Sequence, residues 1–278
     1  MRSALLVSFL LGAAALPAQK PEFGVPVHTT LADVRANPDA FQSVKIVFTV
    51  QFASLGRISN PFFTKFTPTD FTNFYGWGDE QEIWQEPSYN DVFGMLFLSK
   101  TSKQLEKLYE LQLYQRIQCT GVVRNTFQDT PWIEVLKFTP VAGQLDTAVL
   151  THLHRGETLM EQHLWQRAIA ELSLAPGEGV TKQATRAAHK NLGICLLRMG
   201  EPTAAISYLE SATKLAKGKD FAVEKLLASA RTSPEQEIDR TVDVSSLADS
   251  ERPMWEAFEQ GGESAAPAAQ PATRVLQR

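Results

Sequence analysis

The chain of 278 residues is long enough for two modest domains, and its composition of 44% hydrophobic and 21% charged residues is that of a globular protein rather than a disordered or fibrous one. Its net charge of −4 provides no general electrostatic attraction to nucleic-acid phosphates or to anionic lipid surfaces. Nucleic acid is therefore not expected as a partner.

Residues 1–18 have the pattern of a secretory signal peptide. Arg2 is followed by an apolar run over residues 4–16, and cleavage is expected after Ala18, with Ala15 as the competing site. The run is shorter than the roughly 20 apolar residues that a membrane span needs, and no later segment is apolar enough, so no membrane span is expected after cleavage. We therefore expect an exported protein, located in the periplasm or outside the cell.

Residues 28–142 carry the alternation that is typical of β-strands. Apolar residues at every second position of 43–52 predict a strand with one buried face, and Thr30 is a candidate N-cap for a short helix before it. Further strands are predicted at residues 62–66, 92–98, 116–123 and 132–138, with a helix within 100–111. This order resembles the OB-fold, a five-stranded partly open barrel with a helix between its third and fourth strands.

Aromatic residues are concentrated between positions 62 and 84. The resemblance to the OB-fold implies that they could stack on a glycan or an oligonucleotide, because the second and third strands form the usual ligand face. Residues 57–91 contain two basic and six acidic residues, which disfavours a polyanion. The alternatives are that the rings fill the barrel core or contact a peptide. The candidate aromatic face consists of Phe62, Phe66, Phe74, Tyr75, Trp77 and Trp84.

The second half of the chain carries one helical pattern twice. Gly156 precedes Ala168 by twelve residues, and Gly193 precedes Ala205 by twelve (168 − 156 = 205 − 193 = 12), with Leu and Ala four and seven positions later in both copies. This pattern resembles the tetratricopeptide repeat over about residues 145–232. The resemblance implies paired helices that dock a protein or peptide and contain no chemistry of their own.

The inner face of such a helical stack is built mainly by the first helix of each copy. A groove of mixed apolar and charged residues suits an extended peptide or a partner helix, although its apolar members could instead pack against the barrel or a terminal helix. Two copies are few for a free-standing stack, so support from the barrel, the terminal helix or a second chain is expected, and a homo-oligomer is possible. By the resemblance, the candidate partner-binding residues are Leu153, Glu157, Met160, Glu161, Lys190, Ile194, Leu197 and Arg198.

No sequence pattern indicates a catalytic or metal site. Four histidines lie within the repeats, but no cysteine or carboxylate completes a tetrahedral set, and no nucleophile elbow or phosphate loop occurs. Cys119 and Cys195 are explained as small buried apolar residues, although an oxidising compartment would permit one disulfide. We expect no enzyme activity, no cofactor and no metal.

Residues 233–278 are rich in charge, alanine and proline, and they are predicted to form a disordered tail. Within it, a short helical turn that would place Trp255 and Phe258 on one face is a candidate segment. The alternatives are that it docks on another protein, folds back on the groove of the same chain, or contacts neither. The whole chain is thus predicted as an α+β multidomain protein, with an OB-like five-stranded barrel followed by a tetratricopeptide-like helical array.

The expected function is that of an exported, non-catalytic binding or scaffold protein, which holds a protein or peptide partner in the groove of its helical repeats. The alternative is a ligand-binding barrel that stacks a glycan or oligonucleotide on its aromatic residues and uses the repeats for oligomerisation.

Overall fold

The structure is a computed structural model and describes residues 24–57 and 65–234. It has an α+β architecture, in which a β-barrel is followed along the chain by helical hairpins. The predicted signal peptide at 1–18, the candidate aromatic residue Phe62 and the predicted tail beyond residue 234 lie outside the described residues. Within the described ranges, no helix has both the length and the apolar character needed to cross a membrane.

Five strands of the described chain close into a barrel. The five barrel strands are β2 (Lys45–Leu55), β3 (Phe71–Gly78), β4 (Phe93–Ser99), β5 (Arg116–Phe127) and β6 (Thr130–Pro140). A sixth, short strand, β1 (Val27–His28), pairs in parallel with the start of β2. The barrel order is β2-β3-β4-β6-β5, and β5 closes it by pairing antiparallel with β2. β4 and β6 run parallel, whereas the other barrel pairs are antiparallel.

Short helices accompany these strands: α1 (Leu31–Ala36), α2 (Glu86–Asn90) and α3 (Leu105–Tyr109). The predicted N-cap of α1 is confirmed, because the Thr30 hydroxyl accepts the backbone N–H of Asp33 at 3.0 Å while the Asp33 carboxylate accepts the backbone N–H of Thr30. α3 lies between the third and fourth barrel strands, and its Leu108 is buried in the barrel core. The strand order and the place of this helix are consistent with an OB-like barrel.

The second barrel strand, β3, differs from the prediction of a strand at 62–66. The described part of that range, residues 65 and 66, lies outside any strand. In β3, Phe74 belongs to the barrel core, whereas Tyr75 and Trp77 are buried in a second cluster on the other face of the strand. Since both faces are covered, the strand lacks the alternation of apolar and polar residues that would have identified it.

The helical part consists of two hairpins and a final helix: α4 (Thr147–Glu161) pairs with α5 (Trp165–Leu172), α6 (Lys182–Arg198) pairs with α7 (Pro202–Leu215), and α8 (Phe221–Thr232) follows. The side chains of Asp146 and Thr181 cap the first helix of each hairpin by accepting backbone N–H groups at 2.8 and 3.2 Å. Both hairpins therefore begin with a polar N-cap residue.

Gly156 and Gly193 occupy equivalent helix crossings. A Cβ placed on Gly156 would lie 2.5 Å from the side chain of Leu172, and a Cβ on Gly193 would lie 2.6 Å from that of Leu209. These separations are far below van der Waals contact, so only glycine lets the two helices approach this closely. The repeated small residues in the sequence thus mark the same packing position in α4/α5 and in α6/α7.

One hydrophobic cluster is shared by the barrel and the first hairpin. It combines Tyr75 and Trp77 of β3 with Leu150 and Leu153 of α4, and its further members include Ile83, Trp84, Tyr89, Tyr114, Val149 and Leu172. The helices are consequently packed on the outer face of the barrel instead of being joined to it by the chain alone.

Candidate docking groove

The eight candidate partner-binding residues lie on α4 and α6, and we call the surface that they form the inner groove. Its first half consists of Leu153, Glu157, Met160 and Glu161, and its second half consists of Lys190, Ile194, Leu197 and Arg198. The side-chain amide of Asn191 on α6 donates to the carboxylate of Glu157 on α4 at 3.1 Å, which joins the two helices across the groove.

The first half of the inner groove is covered by residues 79–85, which connect β3 to α2 in the barrel and which we call the connecting segment. Leu153 is 0% exposed and belongs to the hydrophobic cluster that contains Trp84 of this segment. Leu153 is therefore not the exposed position that the sequence analysis expected. Leu153 packs against the barrel instead, which was the alternative given for the apolar groove residues. Met160 is partly buried against the same cluster.

Glu157 is the polar centre of this contact. Its Oε1 accepts the indole N–H of Trp84 at 2.9 Å, and its Oε2 accepts the side-chain amide of Gln85 at 3.2 Å. Burial raises the pKa of Glu157, and the nearby carboxylate of Glu82 acts in the same direction, whereas the hydrogen bonds from Trp84, Gln85 and Asn191 favour the ionised form. The partners that the structure gives this carboxylate are neutral donors, so it serves as an acceptor for the barrel.

Other contacts fasten the connecting segment at both of its ends. Arg116 of β5 makes a bidentate ion pair with Asp79 at 2.6 and 2.9 Å. The side-chain amide of Gln183, on α6, donates to the backbone carbonyl of Glu80 at 2.7 Å. His154 Nδ1 lies 3.1 Å from the carbonyl oxygen of Trp84. The segment is thus bound to the barrel, to α4 and to α6 at once.

The second half of the inner groove remains accessible. Lys190 and Ile194 are partly exposed, and Arg198 is exposed, with its guanidinium 6.0 Å from the ring of Trp165. Leu197 is partly buried against the cluster formed with α8. Among the described residues, Ile194 belongs to none of the buried hydrophobic clusters. This half therefore presents an aliphatic side chain between two cations, while Glu161 is exposed at the end of the first half.

The candidate aromatic face is buried in its described part. Phe74 and Trp77 are 0% exposed, and Trp84 is 1% exposed. Trp77 lies 5.1 Å from Tyr89, ring centre to ring centre, and donates its indole N–H to the Tyr89 carbonyl. The remaining described members, Phe66 and Tyr75, are also buried, and Phe66 stacks on Phe97 at 4.2 Å. These rings form core, and none of the described ones offers an open surface for stacking a ligand.

The histidine side chains His152 and His189 make pairwise contacts, and the two cysteines are buried. Residues 24–57 and 65–234 contain no group of three histidine, cysteine or acidic side chains that could hold a metal ion. His152 pairs with Glu171 at 2.8 Å, and His189 with Ser211 at 2.8 Å. Cys119 and Cys195 are both free and buried.

Sequence reasoning identified Glu157 and Trp84 separately but could not bring them together. They lie 73 residues apart, and no periodicity connects a barrel loop to a helix over that distance. Asn191 and Gln85 were missed for the same reason.

Comparison with protein-family models, with curated proteins and with solved structures found no match to this chain.

Proposed function

We propose that this chain is a non-catalytic binding protein, in which the two hairpins act as a tetratricopeptide-like array and the second half of the inner groove holds a protein or peptide partner. The observation that carries the proposal is that this half stays open while the first half is covered by the barrel. The equivalent glycine crossings at Gly156 and Gly193 support the repeat architecture.

The chemistry of the second half defines the partner that would fit. Lys190, Ile194 and Arg198 are spaced by four residues and thus share one face of α6, with Leu197 beside them. An apolar side chain on the partner would bury against Ile194 and the accessible part of Leu197, and flanking carboxylates would face Lys190 and Arg198. The partner surface is therefore an acidic segment with an apolar or aromatic anchor.

The location belongs to the proposal as well. The pattern of residues 1–18 supports export, which places the groove in the periplasm or outside the cell. N-terminal sequencing of the secreted chain checks this, with a mature start at Gln19 as the expected result.

Affinity capture from the exported fraction of the source organism tests the binding role. The variant Ile194→Asp/Arg198→Glu should lose the proteins that the intact chain retains, because it replaces the apolar anchor and reverses a charge. A matched control is Ala204→Asp/Lys214→Glu, which makes the same charge changes at exposed positions of α7. Equal capture by both variants would contradict the proposal.

The competing function, a barrel that stacks a glycan or an oligonucleotide, has a different signature. It requires binding of single-stranded DNA or of oligosaccharides that survives Ile194→Asp/Arg198→Glu, with a strong salt dependence in the case of DNA. The burial of Phe74, Tyr75, Trp77 and Trp84 does not favour it.

A further inference from the structure

We propose that the second half of the inner groove is occupied by a segment of the same chain, residues 254–258 (Met-Trp-Glu-Ala-Phe), with Trp255 against Ile194 and neighbouring carboxylates facing Lys190 and Arg198. The inference rests on the proposed function in one respect, namely that this surface is a docking site. It adds the identity of an occupant of the groove.

The first half of the groove supplies the precedent. It already holds a short piece of this chain, Ile83-Trp84-Gln85, in which the tryptophan is buried and its indole N–H is donated to Glu157. Residues 254–256 repeat the same order, an apolar residue, a tryptophan and a Glu or Gln (Met254-Trp255-Glu256). The two halves would thus each receive one tryptophan from the chain that carries them.

The differences between the two halves match the differences between the two segments. With an offset of 37 residues (193 − 156), Ile194 corresponds to Glu157, Lys190 to Leu153 and Arg198 to Glu161. The second half therefore has an aliphatic residue in place of Glu157, and it has cations in place of Leu153 and Glu161. Residues 249–259 carry four acidic residues and one basic residue, a net charge of −3 (1 − 4), whereas Ile83-Trp84-Gln85 is uncharged. The more acidic segment is complementary to the more basic half.

Chain length permits the contact. α8 ends at Thr232 and packs in one cluster with Leu196 and Leu197 of α6. From Pro234 to Trp255 there are 21 residues (255 − 234), which can span up to about 70 Å when extended, whereas positions 190 to 198 of a helix extend only about 12 Å. Because the segment is tethered, its effective concentration is of millimolar order, and a weak contact suffices.

Hydrogen exchange of the full chain tests the contact without altering any residue of the helices. Replacing the anchors, Trp255→Ala/Phe258→Ala, should raise amide exchange at least threefold in α6 and α8 while leaving the barrel unchanged. The matched control Val275→Ala/Leu276→Ala removes two apolar side chains elsewhere in the same terminal region and should leave exchange as in the wild type. Equal exchange in all three proteins would overturn the inference. Protection that increases with protein concentration would also overturn it, in favour of docking between two copies.

A labelled peptide of residues 249–260 provides an independent measurement. It should bind the full-length Trp255→Ala/Phe258→Ala protein saturably, and at least tenfold more weakly when Ile194→Asp/Arg198→Glu is added. Addition of Ala204→Asp/Lys214→Glu should leave the affinity unchanged. Peptide binding that is insensitive to the groove substitutions would overturn the inference.

The outcomes separate this inference from the proposed function. If the terminal segment protects α6 but Ile194→Asp/Arg198→Glu loses no captured protein, the inference holds and the proposed binding of an external partner is contradicted. If that variant loses a partner while Trp255→Ala/Phe258→Ala leaves exchange unchanged, the binding function holds and the inference fails. If both hold, the Trp255→Ala/Phe258→Ala protein should retain more partner than the wild type, because its groove is open.

Discussion

Trp84 donates its indole N–H to the carboxylate of Glu157 at 2.9 Å, and this bond joins the barrel to the first long helix. Trp84 is 1% exposed and Glu157 is partly buried, so the bond is made in surroundings with little water. A hydrogen bond in such a place stabilises the contact mainly because its loss leaves a buried donor without a partner.

We expect Glu157→Ala to lower the free energy of unfolding by about 1–3 kcal/mol, since it leaves the Trp84 indole N–H unsatisfied. Glu157→Gln keeps an acceptor for Trp84 and should cost less than 1 kcal/mol. Urea unfolding at neutral pH, followed by tryptophan fluorescence, measures both. Equal stability of the alanine variant and the wild type would contradict the assigned role of this bond.

The same pair gives a pH dependence with a definite sign. Burial raises the pKa of Glu157 above its ordinary 4.5, so the folded protein binds a proton more tightly than the unfolded chain does. The resulting stabilisation is complete below the unfolded pKa and is lost as pH rises through the folded pKa. Relative to Glu157→Gln, the wild type should therefore lose stability as the pH rises above 4.5. A constant difference across this range would contradict the prediction.

The two glycine crossings should respond alike to substitution. Gly156→Ala and Gly193→Ala gain about 1 kcal/mol of helix propensity but insert a methyl group against Leu172 or Leu209, which costs about 1–3 kcal/mol. We expect net destabilisation of similar size at both sites in thermal unfolding. Gly218→Ala is the control, because a Cβ at Gly218 meets nothing within 4 Å. Strong destabilisation at only one crossing would mean that the hairpins are not equivalent.

Arg116 and Asp79 anchor the start of the connecting segment, with side chains that are 18% and 15% exposed. Arg116→Met should lower stability by about 2–3 kcal/mol, because it leaves the largely buried Asp79 carboxylate with only the longer contact of 3.7 Å to the exposed Lys217. The matched control is Arg35→Met, which breaks a pair of similar geometry with Asp91 at a more exposed site and should cost less than 1 kcal/mol. Denaturant unfolding compares the two, and equal costs would contradict this account.

The two cysteines should be unreactive in the native protein. Burial raises the pKa of Cys195 to about 12 and that of Cys119 still further, so neither forms a thiolate at neutral pH. A thiol-specific reagent should label neither site in the folded chain and both after unfolding without reductant. Ser173→Cys, at an exposed position, provides the positive control. Labelling that requires reductant even in the unfolded chain would indicate a disulfide.

Local sequence signals predicted the helical part of the fold well. Small residues at Gly156 and Gly193 marked the helix crossings, and the capping pattern at Thr30 marked the start of α1. These features depend on residues a few positions apart, which is the range over which helix periodicity and capping act. The alternation of residues also located β2, although the structure buries Gln51 and Ala53 on the face that was expected to be exposed.

The inner groove was predicted less well, because its exposure depends on long-range packing. Leu153 and Glu157 have the spacing of an open helix face, but the connecting segment covers them. β3 escaped detection because Phe74 faces the barrel core while Trp77 faces the helices, which leaves no alternating pattern. In both cases the deciding contact joins residues that are distant in sequence.

The shared cluster also covers apolar surface of the helical hairpins. A stack of helical hairpins exposes an apolar face at each of its ends and needs a polar cover there to stay soluble. Here Trp77 and Trp84 share a cluster with apolar residues of both α4 and α6, and α8 packs on α7 beyond the second hairpin. The barrel therefore removes from water apolar surface that the hairpins alone would expose.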